Sequence, residues 1–469
     1  MTTTQNDKQG ANVGVELCNF QASRAEISGA LARLIAVIGG KPRRSILENI
    51  LVEVNGVVNL TAHNKALEFS ATESIKATGK QGEFAAVVNA KAFKKAISAS
   101  KNSVVSVSII QRPKPAAEGD NDQEQEFIRC VCVNGFELTT ANVDEFPTVD
   151  HVDIGSNCRG SWFGSVVALS DMIALTTFAC DSESSRYALS GVLIELSRTG
   201  TTGSNSLLTM VGTDGRRLSV VSTGSANLKT TGILSGKNLN KASKALKNKQ
   251  AVFAVLQLVG TSDSDHGDGS AQPLQAQLFT FDAERNVISM YTFRLTEGRF
   301  PNWRDVIPQA DHVGNFDGQE FLELSNQAHA ATIEQARGVD FKAVSASEQP
   351  NDNDTLTAST QNESGNFEKS IDVEFVAPRF DTDENDERKP APYNVCLNGG
   401  YLVDWLGALP APKATGERLG VVGKPSVDWR GIDESSAAML SAAFEVKTRK
   451  APDFAATLEA RYIVMPLSK

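Results

Sequence analysis

The chain has 469 residues, 41% of them apolar and only 7% aromatic, and carries a formal net charge of −10. That length predicts about three domains, and the acidic balance argues against binding nucleic acid through net charge, so any such contact must come from a local basic surface. No apolar run reaches the ~18 residues of a membrane span, and the polar segment Met1 to Val13 lacks the apolar core of a secretory signal, so a cytoplasmic protein is expected.

The first helical pattern runs from Arg24 to Ile38, with apolar residues at three- and four-residue spacings after a polar start. Strand-type sequence follows, and Leu60 to Ala71 reads as strand, turn, strand. A second helix is predicted over Asn89 to Ser100. The same order then returns: a helix at Ser170 to Cys180, a hairpin at Met210 to Val221, and a helix at Gly236 to Asn248. The hairpin turn, Thr213-Asp-Gly-Arg216, uses residues that tolerate positive φ. A third round places helices at Gly318 to Glu334 and Asn398 to Leu409. Helix-to-helix offsets are 65 residues from Ala25 to Ala90, 66 from Ser170 to Gly236 and 80 from Gly318 to Asn398. Glu145-Phe-Pro147 and Arg299-Phe-Pro301 stand near the ends of the first two rounds. The repeat predicts an α+β protein of three similar domains, residues 14–158, 159–310 and 311–469, each with two helices packed on antiparallel sheets.

Four polar inserts interrupt this pattern: Arg112 to Gln125, Gly260 to Gln272, Ser347 to Asn366 and Asp381 to Lys389. Rich in Asp, Glu, Asn, Ser and Gly, they cannot bury a core and are expected to be surface loops. Cys130 and Cys132 alternate along one strand and read as small buried thiols. No CxxC occurs, and His63, His151, His266, His312 and His329 lie far apart in sequence, so no metal or cofactor is expected.

The second helices of the first two rounds contain lysine and no acid. Lys91, Lys94 and Lys95 lie on one, and Lys237, Lys241, Lys244 and Lys247 share one face of the other. A lysine-studded helix is most often a solvated face. Two equivalent acid-free helices within an acidic chain point instead to sequence-independent contact with phosphates. Few aromatics interleave with the lysines, which favours duplex over stacked single strands. Enzyme motifs are missing: the Gly-Lys pairs at Gly236-Lys237 and Gly423-Lys424 lack the P-loop pattern, and no GxGxxG, GxSxG or HExxH is present. A hydrolase built on the acids around Asp181 and Asp214 is the competing enzyme reading, and it has no spacing to support it.

Four blocks, in order, carry a resemblance: Arg186-Tyr-Ala-Leu-Ser-Gly191, Gly212-Thr-Asp-Gly-Arg-Arg-Leu218, Glu297-Gly-Arg-Phe-Pro-Asn-Trp-Arg-Asp-Val-Ile-Pro308 and Tyr462-Ile-Val-Met-Pro-Leu467. Together with the repeat, from about Gly14 to Lys469, they resemble the bacterial sliding clamp, the beta subunit of DNA polymerase III. The resemblance implies a head-to-tail homodimeric ring of six similar domains around duplex DNA. It implies a processivity factor without its own active site, whose partners are double-stranded DNA, the polymerase catalytic subunit, the clamp loader and other proteins bearing a clamp-binding motif. DNA-facing residues by matching are Lys41, Lys91, Lys94, Lys95, Tyr187, Lys237, Lys241 and Lys244.

The family's pocket for partner peptides maps onto Leu189, Thr213, Gly215, Arg216, Arg217, Leu218, Pro301 and Val306. It is completed by Asn398, Tyr401, Ile463, Val464, Met465, Pro466 and Leu467. Ile463 and Val464 also suit a closing core strand. Departures are informative: Arg216 replaces a usual histidine, Asp305 stands where arginine is common, and Glu183 and Ala188 replace polar residues that approach DNA. The ring interface maps onto Phe136 and Leu138 on one side and Ala330 and Ala331 on the other, where larger apolar residues are usual. That substitution motivates an alternative, a diverged clamp-like scaffold that binds partner peptides without encircling DNA.

Overall fold

The computed structural model describes residues 15–40, 44–113, 127–148, 154, 157–182, 187–196, 207–223, 230–260, 274–333, 337–346, 353–363, 365–378, 380–382, 388–390, 392–411, 418–419, 424–448 and 451–467. It divides into two compact units, residues 1–151 with 286–293, and residues 152–285 with 294–469.

In the first unit, helices α1 (Arg24–Ile38) and α2 (Ala90–Ala99) pack on each other and on antiparallel strands. The apolar stripe Ile27, Leu31, Leu34 and Ile38 buries one face of α1, and Gly39, at φ 76°, ends it. Asn89 caps α2 by accepting the Ala92 N–H at 3.0 Å. One sheet runs in the order Ala77–Gln81, Val15–Ser23, Val104–Pro113, Phe127–Val133, Phe136–Thr139. A second set of strands, Phe84–Asn89, Asn49–Asn55, Val57–His63 and Phe69–Ile75, is completed by a segment from far along the chain, in register Tyr291↔Ala71.

That late segment closes a buried polar network. Arg33 donates Nε and Nη2 to the two oxygens of Glu73 at 2.8 Å each, and the Tyr291 hydroxyl donates to Oε1 at 2.7 Å. Burial, then the Glu73 charge, pushes the Tyr291 phenol well above its usual range, and burial also pushes Tyr462 of the second unit up. A phenol held neutral by the fold stabilises it fully below the unfolded value of about 10, and that contribution is lost as pH rises because the unfolded chain releases its proton first. Urea midpoints measured from about pH 9 to about pH 11 should therefore fall, and fall less in Tyr291→Phe. Parallel curves for the two proteins would contradict this.

In the second unit, α3 (Val166–Thr177) pairs with α4 (Gly236–Leu246), and α5 (Gly318–Ala330) with α6 (Gly399–Ala408). Its largest sheet runs Thr230–Ser235, Gly191–Leu196, Leu208–Thr213, Arg217–Ser222, Ala451–Val464, Ala438–Thr448, Val427–Gly431, Asp311–Phe316 and Phe375–Val376. One aromatic cluster lies in its core. Trp429 lies between Phe316, Phe321, Phe341 and Tyr393, with the Phe321 ring stacked at 5.5 Å.

The largest departures from the sequence reading are at two helix boundaries, while α3 and α4 end slightly early, at Thr177 and Leu246. Helix α3 starts at Val166 rather than Ser170 because Ser165, whose Oγ accepts the Ala168 N–H, caps it a turn earlier. Helix α5 stops at Ala330, where the Ala331 N–H turns back to Ala328 O. The insert read as a loop at Ser347 to Asn366 is corrected in its second half. Thr355–Asn362 is a strand paired with Gly365–Asp372, because the alternating Leu356, Ala358 and Thr360 are buried. The remaining inserts lie largely outside the described residues. Among the cysteines read as one-face thiols, Cys130 is buried and Cys132 half-buried. Among the described residues, no helix is long and apolar enough to cross a membrane.

Candidate functional site

The site grows from the hairpin Leu208–Thr213 to Arg217–Ser222. Its turn is closed by side chains: Asp214 Oδ1 accepts the N–H groups of Arg216 and Arg217 at 2.9 and 3.1 Å, and Thr213 Oγ1 accepts that of Gly215 at 3.1 Å. Gly215, at φ 86°, supplies the positive φ such a turn needs. Beside the hairpin runs the last strand, in register Leu218↔Ile463. Beyond Val464 the chain is tied down twice, by Met465 N–H to Arg216 O at 3.1 Å and by Leu467 N–H to Cys396 O at 2.9 Å.

The facing wall is the segment Arg299 to Asn302 with the short turn Trp303–Val306. Its orientation is set by Glu195, a carboxylate from the neighbouring strand that is only 5% exposed. Glu195 accepts from Arg304 Nη1 and Nη2 at 3.1 and 2.9 Å and from the Trp303 indole N–H at 3.4 Å. The Arg304 guanidinium also lies 4.1 Å over the Trp303 ring. A buried carboxylate satisfied on both oxygens fixes the indole as a wall.

Between these elements lies a cavity of about 210 Å³, lined by Leu189, Thr213, Gly215, Arg216, Arg217, Leu218, Pro301, Asn302, Trp303, Val306, Ile463 and Met465. Its floor belongs to a core cluster of Leu193, Val211, Leu218, Phe300, Trp303 and Ile463. At its mouth Met465 and Val306 are 51% and 54% exposed and form an apolar rim. An apolar hollow with an adaptable methionine at its edge suits leucine and aromatic anchors.

Arg217 fastens the site rather than opening it. Its Nε donates to Asp214 Oδ2 at 2.9 Å, Nη1 to Asp404 Oδ2 at 2.7 Å and Nη2 to Phe178 O at 2.9 Å. It also lies 4.2 Å over the Tyr401 ring, so the hairpin is clasped to α6. Asp214 is thereby committed to a turn and an ion pair and is not poised for acid–base work. Burial, then the Asp214 charge, pushes the Cys180 thiol up to about 12, leaving a poor nucleophile. Among the described residues no group of His, Cys, Asp and Glu is arranged to hold a metal.

The other residues expected at the pocket fall around it. Asn398 and Tyr401 line an adjoining hollow that shares Arg217. Val464 is fully buried, and alternation puts it on the face of Tyr462 rather than of Ile463. Pro466 and Leu467 line a hollow beside the strand Tyr393–Asn398. Trp303 and Asn302 belong to the cavity but were not read from the sequence; a tryptophan two residues after Phe-Pro was the available signal.

Of the residues matched to DNA contact, Lys91 and Lys95 are exposed and Lys94 half-buried on α2, opposite Phe93, Ala96 and Ile97. Lys237 and Lys244 are exposed on α4 and Lys241 is half-buried, opposite Leu239, Ala242 and Leu246. Lys41 lies outside the described residues, and Tyr187 opens a short turn, Tyr187–Ser190. Phe136 is 43% exposed on an edge strand with Leu138 half-buried, and Ala330 is exposed at the end of α5 with Ala331 half-buried.

Residues 18–150 match the family model described as the DNA polymerase III beta subunit, N-terminal domain. The beta sliding clamp of Haemophilus influenzae is 23% identical over 402 residues, 83% of this chain and 90% of that protein. That of Vibrio cholerae is 25% identical over 397 residues, with the same coverage of 83% and 90%. In fold, the chain superposes on the DnaN sliding clamp of Pseudomonas aeruginosa with TM-score 0.67 at 19% identity, covering 96% of this chain and all of that one. The DNA polymerase III beta subunit of Thermotoga maritima gives 0.64 at 17% identity.

Proposed function

We propose that this chain is a member of the bacterial sliding-clamp family, and that it closes with a second copy into a ring around duplex DNA and tethers a DNA polymerase there. The observation that carries this reading is the pair of helices α2 and α4, each presenting lysines and no acid from a different round of the repeat. Retention by a closed ring needs only weak contacts that slide, which reconciles those lysines with a net charge of −10. The protein then works by topology and tethering, with no chemistry of its own. Domain limits at 14–158, 159–310 and 311–469 give each helix pair its own domain. The clamp loader and other proteins with a clamp-binding motif dock in the cavity around Leu218, and the edge strand with Phe136 and Leu138 meets the region of Ala330 and Ala331 of a second copy. Such a protein works in the cytoplasm, at the nucleoid during replication.

The test is retention on DNA. After loading by an ATP-driven clamp loader, the protein should co-elute with nicked circular plasmid as a dimer and be released when the plasmid is linearised. Equal retention on linear and circular DNA would overturn encirclement. A monomer that still binds partner peptides would move the function to the scaffold reading, which the small, exposed Ala330 favours.

A further inference from the structure

We propose that Arg216 selects partner peptides that carry an acidic residue beside their apolar anchors. The inference rests on reading the cavity around Leu218 as the peptide pocket. Of the arginines in or beside that cavity, Arg217 and Arg304 are already engaged, and Arg216 and Arg217 are the two that line it. Arg217 gives its donors to Asp214, Asp404 and Phe178 O, and Arg304 gives its own to Glu195. The Arg216 side chain is exposed and has no hydrogen-bond or ion-pair partner among the described residues, yet it lines the cavity mouth.

The nearby carboxylates do not neutralise it. Asp214 is taken up by two backbone N–H groups and by Arg217. Asp305 accepts Asn302 Nδ2 at 2.5 Å and does not line the cavity. An exposed arginine alone signifies little; its anchorage distinguishes this one. The Arg216 N–H is held by Asp214 Oδ1 and its carbonyl accepts the Met465 N–H, so the side chain springs from a fixed stem beside the apolar rim. A peptide whose anchors sit in the hollow brings its neighbouring residue within reach of that guanidinium. The backbone from which each side chain springs is then fixed, which lowers part of the ordering cost of the pair. A planar guanidinium takes a carboxylate on two donors and prefers it to an amide.

The experiment uses the full chain and fluorescein-labelled seven-residue peptides with leucine and phenylalanine anchors, in which Gln is replaced by Glu one position at a time. With the unaltered protein, Glu at one position should tighten binding by roughly 2- to 5-fold, as for a solvent-facing ion pair. That gain should vanish in about 1 M salt, where the screening length is about 3 Å. In Arg216→Gln the Glu-to-Gln affinity ratio should fall to about one, and in Arg216→Glu it should invert, with a Lys peptide now preferred. The same ratio in Arg216→Gln as in the unaltered protein overturns the proposal, as does the lack of any acid-preferring position. If the all-Gln peptide fails to bind, the pocket reading fails, and that outcome is distinguishable because every peptide is then silent.

Discussion

Replacing Arg33 with alanine is expected to lower the stability of the first unit by about 3–5 kcal/mol, the cost of leaving a buried carboxylate without its partner. Glu73 has a side chain only 1% exposed, and Arg33 is 18% exposed, so water cannot substitute for the lost guanidinium. Glu73 Oε1 would keep the Tyr291 hydroxyl, while Oε2 would lose the Arg33 Nη2 donor that serves it. Urea denaturation followed by far-UV circular dichroism should show the midpoint of one transition move while a second, from residues 152–285 and 294–469, stays in place. The pair is expected to be worth far less than its disruption costs. Arg33→Met, Glu73→Leu and Tyr291→Phe together remove all three polar partners, and this variant should recover most of the loss. If the triple variant is as unstable as Arg33→Ala, packing rather than an unpaired charge is the cause.

Ending the chain at Val464 is expected to abolish binding of partner peptides while leaving the fold intact. Tyr462, Ile463 and Val464 are fully or nearly fully buried and hold the last strand in the sheet, whereas Met465 and Leu467 are 51% and 38% exposed. The tail contributes two backbone tethers and the adaptable side of the cavity mouth. Burying a methionine against a ligand is worth about 1.5–3 kcal/mol, or roughly a 10- to 100-fold change in affinity, before the loss of the rest of the wall. Fluorescence anisotropy with an anchor peptide measures this directly, and an unchanged affinity in a folded truncated protein would remove the tail from the site.

Much of the architecture was legible because helices announce themselves through apolar spacing and caps. Asn89 and Asn398 were read at the starts of α2 and α6, and the Asp-Gly turn marked the hairpin that builds the cavity. What escaped depended on contacts that sequence does not display. Ser165 looked like one more serine before a longer apolar run, and the Thr-rich strand from Thr355 resembles a polar linker until Leu356 and Ala358 find a sheet to cover. At the site, matching grouped Ile463 with Val464, although period-two alternation separates them. Arg217 was grouped with Arg216, and only the structure shows that the Arg217 guanidinium is held by Asp214, Asp404 and Phe178 O while that of Arg216 is exposed. No local pattern could have joined Tyr291 to Glu73, because the pairing spans 218 residues.

That span has a consequence for birth on the ribosome. The first unit needs residues 286–293, so its network cannot close when residue 151 emerges but only roughly 140 residues later. At roughly 5–20 residues per second, the nascent chain waits about 7–28 s with the strand Phe69–Ile75 lacking its outer partner and Glu73 without its phenol. An unpaired strand edge of that kind invites pairing with other chains, so the hazard in making this protein falls in that interval. Slowing translation between residues 151 and 286 should raise the yield of aggregate, and a chaperone that shields strand edges should reduce it.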